Sequence, residues 1–542
     1  MTSLEKYEIR WNWVWLLLFS VGFGIFLIVT PKYFDDYWYL ADTASWFEKQ
    51  GIDYPSDGGN VFKYGIPEEL LETIHMHLNQ DTARLCNVVA ALSLLLPKWV
   101  ASSISWIALI FTLWGIFRLC RLKISRSWLV AIGIGMVTLT FLWYEVMGDV
   151  IYQFNYIVSG GLCVGLLLLT REPSKGVLKV VFLCLYAFIT GLWHEGFTVP
   201  LLGSYLILLF YRENRNNSIY IATLILFLCV IWHFGGARLT GSSTYGRIFR
   251  ADGLSLSHVL LTIYYHRTFW IALGLIVIFI LKKGIGAFLR IPLLTCMTTG
   301  LIVAWGISSF TAIYRGAWWG DIAATIIVLY ITGYLWGKNK NYKGWRGLLS
   351  TVVLLLSYFE LMAIDIHTFK FAKEYRDVIK KYNENPGQPQ FSPLIDYPWI
   401  GVPFMQMMHN HKYRYGEYPR AYYRKPKGEN KRANLLTVVP EGLRNIRLKD
   451  TAPLEGDLGI RKYGPYMVAM TDSTHPYDVY ADMDYGWFKS HKVIIEFIPF
   501  VSDADGLTYA YVMPIYWRTE YELGNVKGVW FNAEGRNDEP VL

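Results

Sequence analysis

Two adjacent carboxylates, Asp35 and Asp36, stand in an aromatic setting, Tyr33-Phe34-Asp35-Asp36-Tyr37-Trp38-Tyr39. They follow an apolar run, Trp11–Thr30, that matches the roughly 20 residues a helix needs to cross a bilayer. A carboxylate at a membrane surface is costly to desolvate and is usually kept for a task. One such task is general-base chemistry, the removal of a proton from an acceptor hydroxyl. The flanking Tyr37 and Trp38 are binding candidates, because sugar rings stack on aromatic faces; the structural alternative is an aromatic belt at the membrane interface. The structural alternative is that one of the two acids caps a following helix, Trp38 to Gln50.

Further polar groups gather at other points between apolar runs. In Asn79-Gln80-Asp81-Thr82-Ala83-Arg84-Leu85-Cys86-Asn87, residues Asp81, Arg84 and Asn87 are spaced to share a helix face. Such a face suits a sugar or a phosphate; the alternative is Asp81 as an N-cap with the rest solvated. His75-x-His77 is a weak metal signal, since residues two apart on a helix do not face one another. Gln153 and Asn155 open an apolar run that Glu145 and Asp149 precede. His194-Glu195 is an adjacent ionisable pair at the end of another; it can bind a metal, orient a substrate, or pair with Arg84 or Arg315. Gly235-Gly236-Ala237-Arg238 and Tyr314-Arg315-Gly316 combine backbone that can approach an anion with a guanidinium that can grip phosphate oxygens, or one that snorkels to head groups.

The elements that would position these groups are long apolar helices. Hydrophobic residues make up 53% of the chain and charged ones 17%, and the apolar residues come in long runs, which excludes an ordinary soluble protein of this size. Runs at Trp11–Thr30, Val100–Phe117, Trp128–Tyr144, Tyr156–Thr170, Val177–Leu192, Val199–Tyr211, Ile219–Phe234, Leu260–Leu281, Ile291–Phe310, Ile322–Trp336 and Leu348–Ile364 predict about eleven spans. Leu85–Leu96 is too short to cross and reads as an interfacial or re-entrant helix. Lys6 and Arg10 precede the first span. Arg118, Arg121, Lys123 and Arg126, then Arg171 and Lys175, Arg212 and Arg215, Lys282, Lys283 and Arg290, and Lys338 to Arg346 follow every second span. This alternation predicts a cytoplasmic N-terminus and puts the acids, His and Arg named above at external ends. The net charge of +8 is this orientation signal, not a nucleic-acid footprint. The six Cys lie in or beside apolar runs without a CxxC, as small buried hydrophobes. The first run is too long for a signal h-region and reads as a retained helix.

After Ile364 the character changes. Lys370 to Asn385 is a charged helical stretch, and Pro386 to Pro398 is rich in Pro and turn residues. Short β-type runs at 435–439, 466–470, 492–498 and 507–512, separated by turns such as Asp503-Ala504-Asp505-Gly506, predict a small, mainly β unit. The expected organisation is therefore a polytopic α-helical membrane domain over 1–364, a linker and irregular external segment over 365–434, and an external β-rich domain over 435–542.

The chain resembles the GT-C superfamily of polytopic membrane glycosyltransferases, in a bacterial branch that uses lipid-linked sugar donors. The resemblance spans roughly Trp11 to Ile364. It rests on Asp35-Asp36-Tyr37-Trp38 after the first span, the polar segment Asn79 to Asn87 entering a helix, Asn155-Tyr156, His194-Glu195 and the late Arg315. Related bacterial proteins often carry Asn-Gly-Arg where this chain has Asp81-Thr82-Ala83-Arg84. The resemblance implies a polyprenyl-phosphate sugar as donor and a glycan, lipid or protein as acceptor. The setting it implies is the extracytoplasmic face of the bacterial cytoplasmic membrane. It makes Asp35 or Asp36 the base, Arg84, Arg238 and Arg315 phosphate candidates, and Tyr37, Trp38, Asn79, Asp81, Asn155, His194 and Glu195 substrate contacts. No cofactor is fixed; a divalent metal is an alternative to Arg for steadying the leaving phosphate. The competing readings are a polymerase or ligase for lipid-linked glycans, a glycolipid transporter or flippase, and a membrane anchor for the β unit. A transporter calls for charge within spans and repeat symmetry, and an anchor needs one span.

Overall fold

The computed structural model describes residues 3–31, 36, 84–94, 96–122, 127–141, 143, 149–212, 215–239, 259, 266–311, 314–336, 343–384, 390–392, 438–453, 460–464, 466–471, 477–484, 491–512 and 525–531. In chain order the main helices are α1 (Ser3–Val29), α2 (Leu85–Ser93), α3 (Lys98–Leu119) and α4 (Ser127–Gly135), which a π turn extends to Thr140. Next come α5 (Val150–Leu169), α6 (Val177–Trp193), α7 (Glu195–Leu208), α8 (Asn217–Leu239) and α9 (Arg267–Lys283). The last three are α10 (Pro292–Thr311), α11 (Trp318–Trp336) and α12 (Lys343–Glu384). Among the described residues seven helices, α1, α3, α5, α8, α10, α11 and α12, are long and apolar enough to cross a membrane; α6 and α7 are apolar but shorter, as is α4 with its π extension. These are the features of a multi-pass membrane protein.

Helices suit a bilayer because every backbone donor and acceptor is satisfied within the segment. The bundle has a centre and a rim. In α5, 94% of the span is buried, and in α11 78%, against 39% in α1 and α8. The rim helices instead expose large apolar side chains such as Leu17, Leu178 and Leu355, as lipid-facing surfaces do. Small residues let the central helices close up, as the Gly160-Gly161 pair suggests. A Cβ on Gly160 would stand 2.7 Å from Ile322 Cδ1 of α11, and one on Gly161 would stand 3.3 Å from the Ala108 carbonyl oxygen of α3. An aromatic cluster, Phe19, Phe23, Phe26, Trp143 and Trp318, fills the space between α1 and α11.

Two boundaries differ from those read off the sequence. The helix expected over Leu260–Leu281 starts at Arg267, with His266 at its N-cap. The span expected over Leu348–Ile364 and the charged stretch after it are one continuous helix, α12. No Gly or Pro interrupts the chain between Leu348 and Glu384, and Pro386 follows soon after.

The C-terminal strands are β1 (Gln390–Ser392), β2 (Val438–Pro440), β3 (Ala452–Pro453), β4 (Ile460–Tyr463), β5 (Tyr466–Met470), β6 (Tyr477–Asp484), β7 (His491–Val501), β8 (Thr508–Val512) and β9 (Asn525–Phe531). β1 and β2 pair in parallel. The others form an antiparallel sheet in the order β3-β4-β5-β8-β7-β6-β9. Its small core joins Val468, Phe500, Tyr509 and Tyr511 to Val439, Leu443 and Ile446. The turn into β8 is built by Asp505, which accepts from Leu507 N (3.0 Å) and from the Tyr509 hydroxyl (2.6 Å), with Gly506 at φ 67°.

Candidate functional site

The polar groups converge at one end of the bundle, where α1, α6 and α10 finish and α3, α5, α7 and α11 begin. The N-terminus of α5 gathers two buried carboxylates. Asp149 is its N-cap and accepts from Tyr152 N at 3.2 Å. Asp36, far away in sequence, lies against the same turn, and its Oδ1 accepts from Val150 N (2.8 Å) and Ile151 N (3.1 Å). The exposed amides and dipole of a helix N-terminus favour negative charge there. Asp36 therefore caps α5; the segment Trp38 to Gln50, the expected site of a cap by one of the two acids, lies outside the described residues. Lys98, the first residue of α3, is within electrostatic reach of both acids. Gln153 reaches back to the Leu27 carbonyl of α1 at 3.4 Å.

A second group lies where α6 breaks into α7. His194 takes an extended backbone (φ −157°, ψ 121°) and is the N-cap of α7, its Nδ1 accepting from Gly196 N at 3.0 Å. An Nδ1 that accepts places the neutral imidazole proton on Nε2. The break frees the Gly191 carbonyl, which takes bonds from the Thr198 hydroxyl (2.8 Å) and His233 Nε2 (2.9 Å). Glu195, in the first turn of α7, is held bidentately by Arg84, through Nε to Oε2 at 2.6 Å and through Nη2 to Oε1. Such a fork is a strong, geometrically specific pair. It uses the guanidinium edge carrying Nε and leaves the other donors of Arg84 for a further partner.

Arg84 itself is extended (φ −75°, ψ 119°), one residue before α2 begins. The single helix face expected for Asp81, Arg84 and Asn87 is therefore not formed through Arg84. Asn87 lies inside α2 and is buried. α5 contributes from a π-helical turn, Gln153–Val158, that carries Asn155 and Tyr156. π turns are rare and cluster at functional sites. Asn155 is 4% exposed, and the Tyr156 ring lies 5.4 Å from the His194 ring. Phe197 completes this aromatic wall, 5.7 Å from His194.

Arg238 falls near the end of α8, and Arg315 falls in the short turn Tyr314–Ala317. That turn approaches the start of α7: a Cβ on Gly196 would stand 3.7 Å from the Gly316 carbonyl oxygen. The side chains of Arg238 and Arg315 are outside the described residues, as are Asp35, Tyr37, Trp38, Asn79 and Asp81, together with His75, His77 and Glu145. The described site thus brings Arg84, His194 and Glu195 together, with Tyr156 of α5 against the His194 ring, and sets Asp36 beside the N-cap Asp149 at the N-terminus of α5.

One cluster escaped the reading of the sequence. His266 Nδ1 lies 3.3 Å from Asp321 Oδ1, which also accepts from the Thr268 hydroxyl. Both ring and carboxylate are buried, at 2% and 1% exposure. Asp321 stands immediately before the apolar run that begins at Ile322. His266 was hidden because the apolar run was started too early, at Leu260. Among the described residues no group of three or more His, Cys, Asp or Glu side chains could hold a metal ion. No protein-family model matches the chain, and no curated protein matches it.

Proposed function

We propose that the protein is an integral-membrane glycosyltransferase that moves a sugar from a polyprenyl-phosphate donor to a glycan, lipid or protein acceptor on the extracytoplasmic face. The observation that carries this reading is the gathering of Asp36, Asp149, Arg84, Glu195 and His194 at a single end of a helical bundle. Transfer from a lipid phosphate asks for two things at this depth: a carboxylate near the acceptor hydroxyl, and fixed positive charge for the departing phosphate. The Asp35-Asp36 pair supplies the first. Arg84 supplies the second, aimed by Glu195 so that little reorganisation is needed when charge develops. Arg238 and Arg315 add phosphate contacts, and Tyr37, Trp38, Asn79, Asp81 and Asn155 bind the sugar or acceptor. The C-terminal sheet lies outside the membrane and grips the acceptor.

The test is donor consumption and transfer by purified protein in lipid, with a panel of polyprenyl-phosphate sugars. Turnover with one donor supports the reading. Binding of a donor with no turnover overturns it in favour of a carrier, a reading that the buried Glu360 and the nearby Asp365 within α12 favour.

A further inference from the structure

At the far ends of α3 and α5, about 30 Å from Asp36 at a rise of 1.5 Å per residue, the bundle opens a cavity of about 1220 Å³. Three arginines line it: Arg118 in the last turn of α3, Arg121 just after, and Arg171 just after α5. Lys179 of α6 adds a fourth cation, and Glu172 is the acid in the lining. Among the described residues no acid forms an ion pair with these arginines. They are held in place by other means. Arg171 donates from Nη1 to the Arg118 carbonyl at 2.9 Å. The Arg118 guanidinium lies over the Trp114 ring, 5.7 Å from its centroid. Arg121 takes a left-handed backbone, φ 53°, which a non-glycine residue adopts at a cost. Burial, and then the charges of Arg121 and Arg118, push the Arg171 pKa below its ordinary value.

Apart from Ser174 the rest of the wall is apolar, and it opens outward: Trp114, Leu178 and Phe182 are all exposed. A basic floor with an apolar, outward-open wall matches an amphiphile whose phosphate sits among guanidiniums and whose chains run along the helices. An orientation signal needs basic residues in the loop; it does not need them to converge on one cavity. We infer that this cavity binds the phosphate head group of an anionic phospholipid from the leaflet opposite the candidate site.

The experiment is native mass spectrometry of the delipidated full chain, titrated separately with dioleoyl phosphatidylglycerol, dioleoyl phosphatidylcholine and inorganic phosphate. Arg118→Gln/Arg121→Gln is compared with Lys283→Gln/Arg290→Gln, which removes equal charge away from the cavity. Wild type should prefer phosphatidylglycerol to phosphatidylcholine. The cavity pair should lose about 30-fold in phosphatidylglycerol affinity, the scale of two cations lost near a charged lipid, and the control pair under about twofold on the same scale. Arg121→Gln alone, an exposed change, should lose part of that affinity at an unchanged unfolding temperature. Equal losses in both pairs would reduce the effect to diffuse surface charge and overturn the site. Inorganic phosphate that displaces the lipid at equal concentration would overturn the lipid as its occupant.

Discussion

At the scale of single residues, Asp36 holds two positions at once: a cap on α5 and a carboxylate at the candidate site. The two separate by substitution. Asp36→Asn keeps an Oδ1 acceptor for Val150 N and Ile151 N, and Asn caps as well as Asp. Asp36→Ala leaves those buried amides without that acceptor, at roughly 1–3 kcal/mol. Thermal unfolding should therefore rank wild type and Asp36→Asn together, with Asp36→Ala clearly lower. The Arg84–Glu195 pair behaves differently, because its side chains are 24% and 13% exposed. Removing one partner strands a charge in a mostly buried place and costs on the order of 3 kcal/mol. Arg84→Gln and Glu195→Gln should each destabilise by more than half as much as the double variant, and a double-mutant cycle measures that non-additivity. In the short turn Glu441–Leu443, which packs Leu443 onto the C-terminal sheet, hydrogen bonding to Arg444 lowers the Glu441 pKa from 4.5. That contribution is present above pH 4.5 and is lost as pH falls through the lowered folded value. Protease resistance of the sheet should thus separate wild type from Glu441→Gln at neutral pH and converge as the solution is acidified.

At the scale of elements, the close helix contacts carry the weight. Gly160→Leu pushes a branched side chain into Ile322 of α11, where a Cβ alone would be 2.7 Å from Cδ1. Overpacking of this kind costs about 1–3 kcal/mol, so the variant should unfold earlier, while Gly286→Ala, with open space around it, should not. The long apolar runs were legible because a span must be apolar over its whole length, and β5, β7 and β8 were legible from short β-branched and aromatic runs between turns. The π turns at Met136–Thr140 and Gln153–Val158 were not. A π turn changes how the backbone bonds without changing composition, and it alters which side chains α5 presents. The helix break at His194 was legible only as an odd polar pair. That Asp36 would cap α5, 114 residues away, depends on long-range packing that no local pattern encodes.

At the scale of the whole molecule, the bundle separates two chemistries by its own thickness. The end at the start of α5 gathers carboxylates, His194 and the Arg84–Glu195 fork; the end at its finish gathers arginines around an amphiphilic cavity. This polarity suits an enzyme that meets its lipid-linked donor at one surface while its other surface is anchored by anionic lipid. The central claim is that a carboxylate at the first of these ends takes the acceptor proton in glycosyl transfer. The most direct measurement is the single-turnover transfer rate from the accepted polyprenyl-phosphate sugar, with wild type, Asp35→Asn and Asp36→Asn side by side, each checked for an unchanged unfolding temperature. The account predicts that one Asn variant loses about 10²-fold or more in rate, the scale of general-base catalysis, with donor binding intact. Wild-type rates in both variants, or binding of every donor with transfer of none, would contradict it.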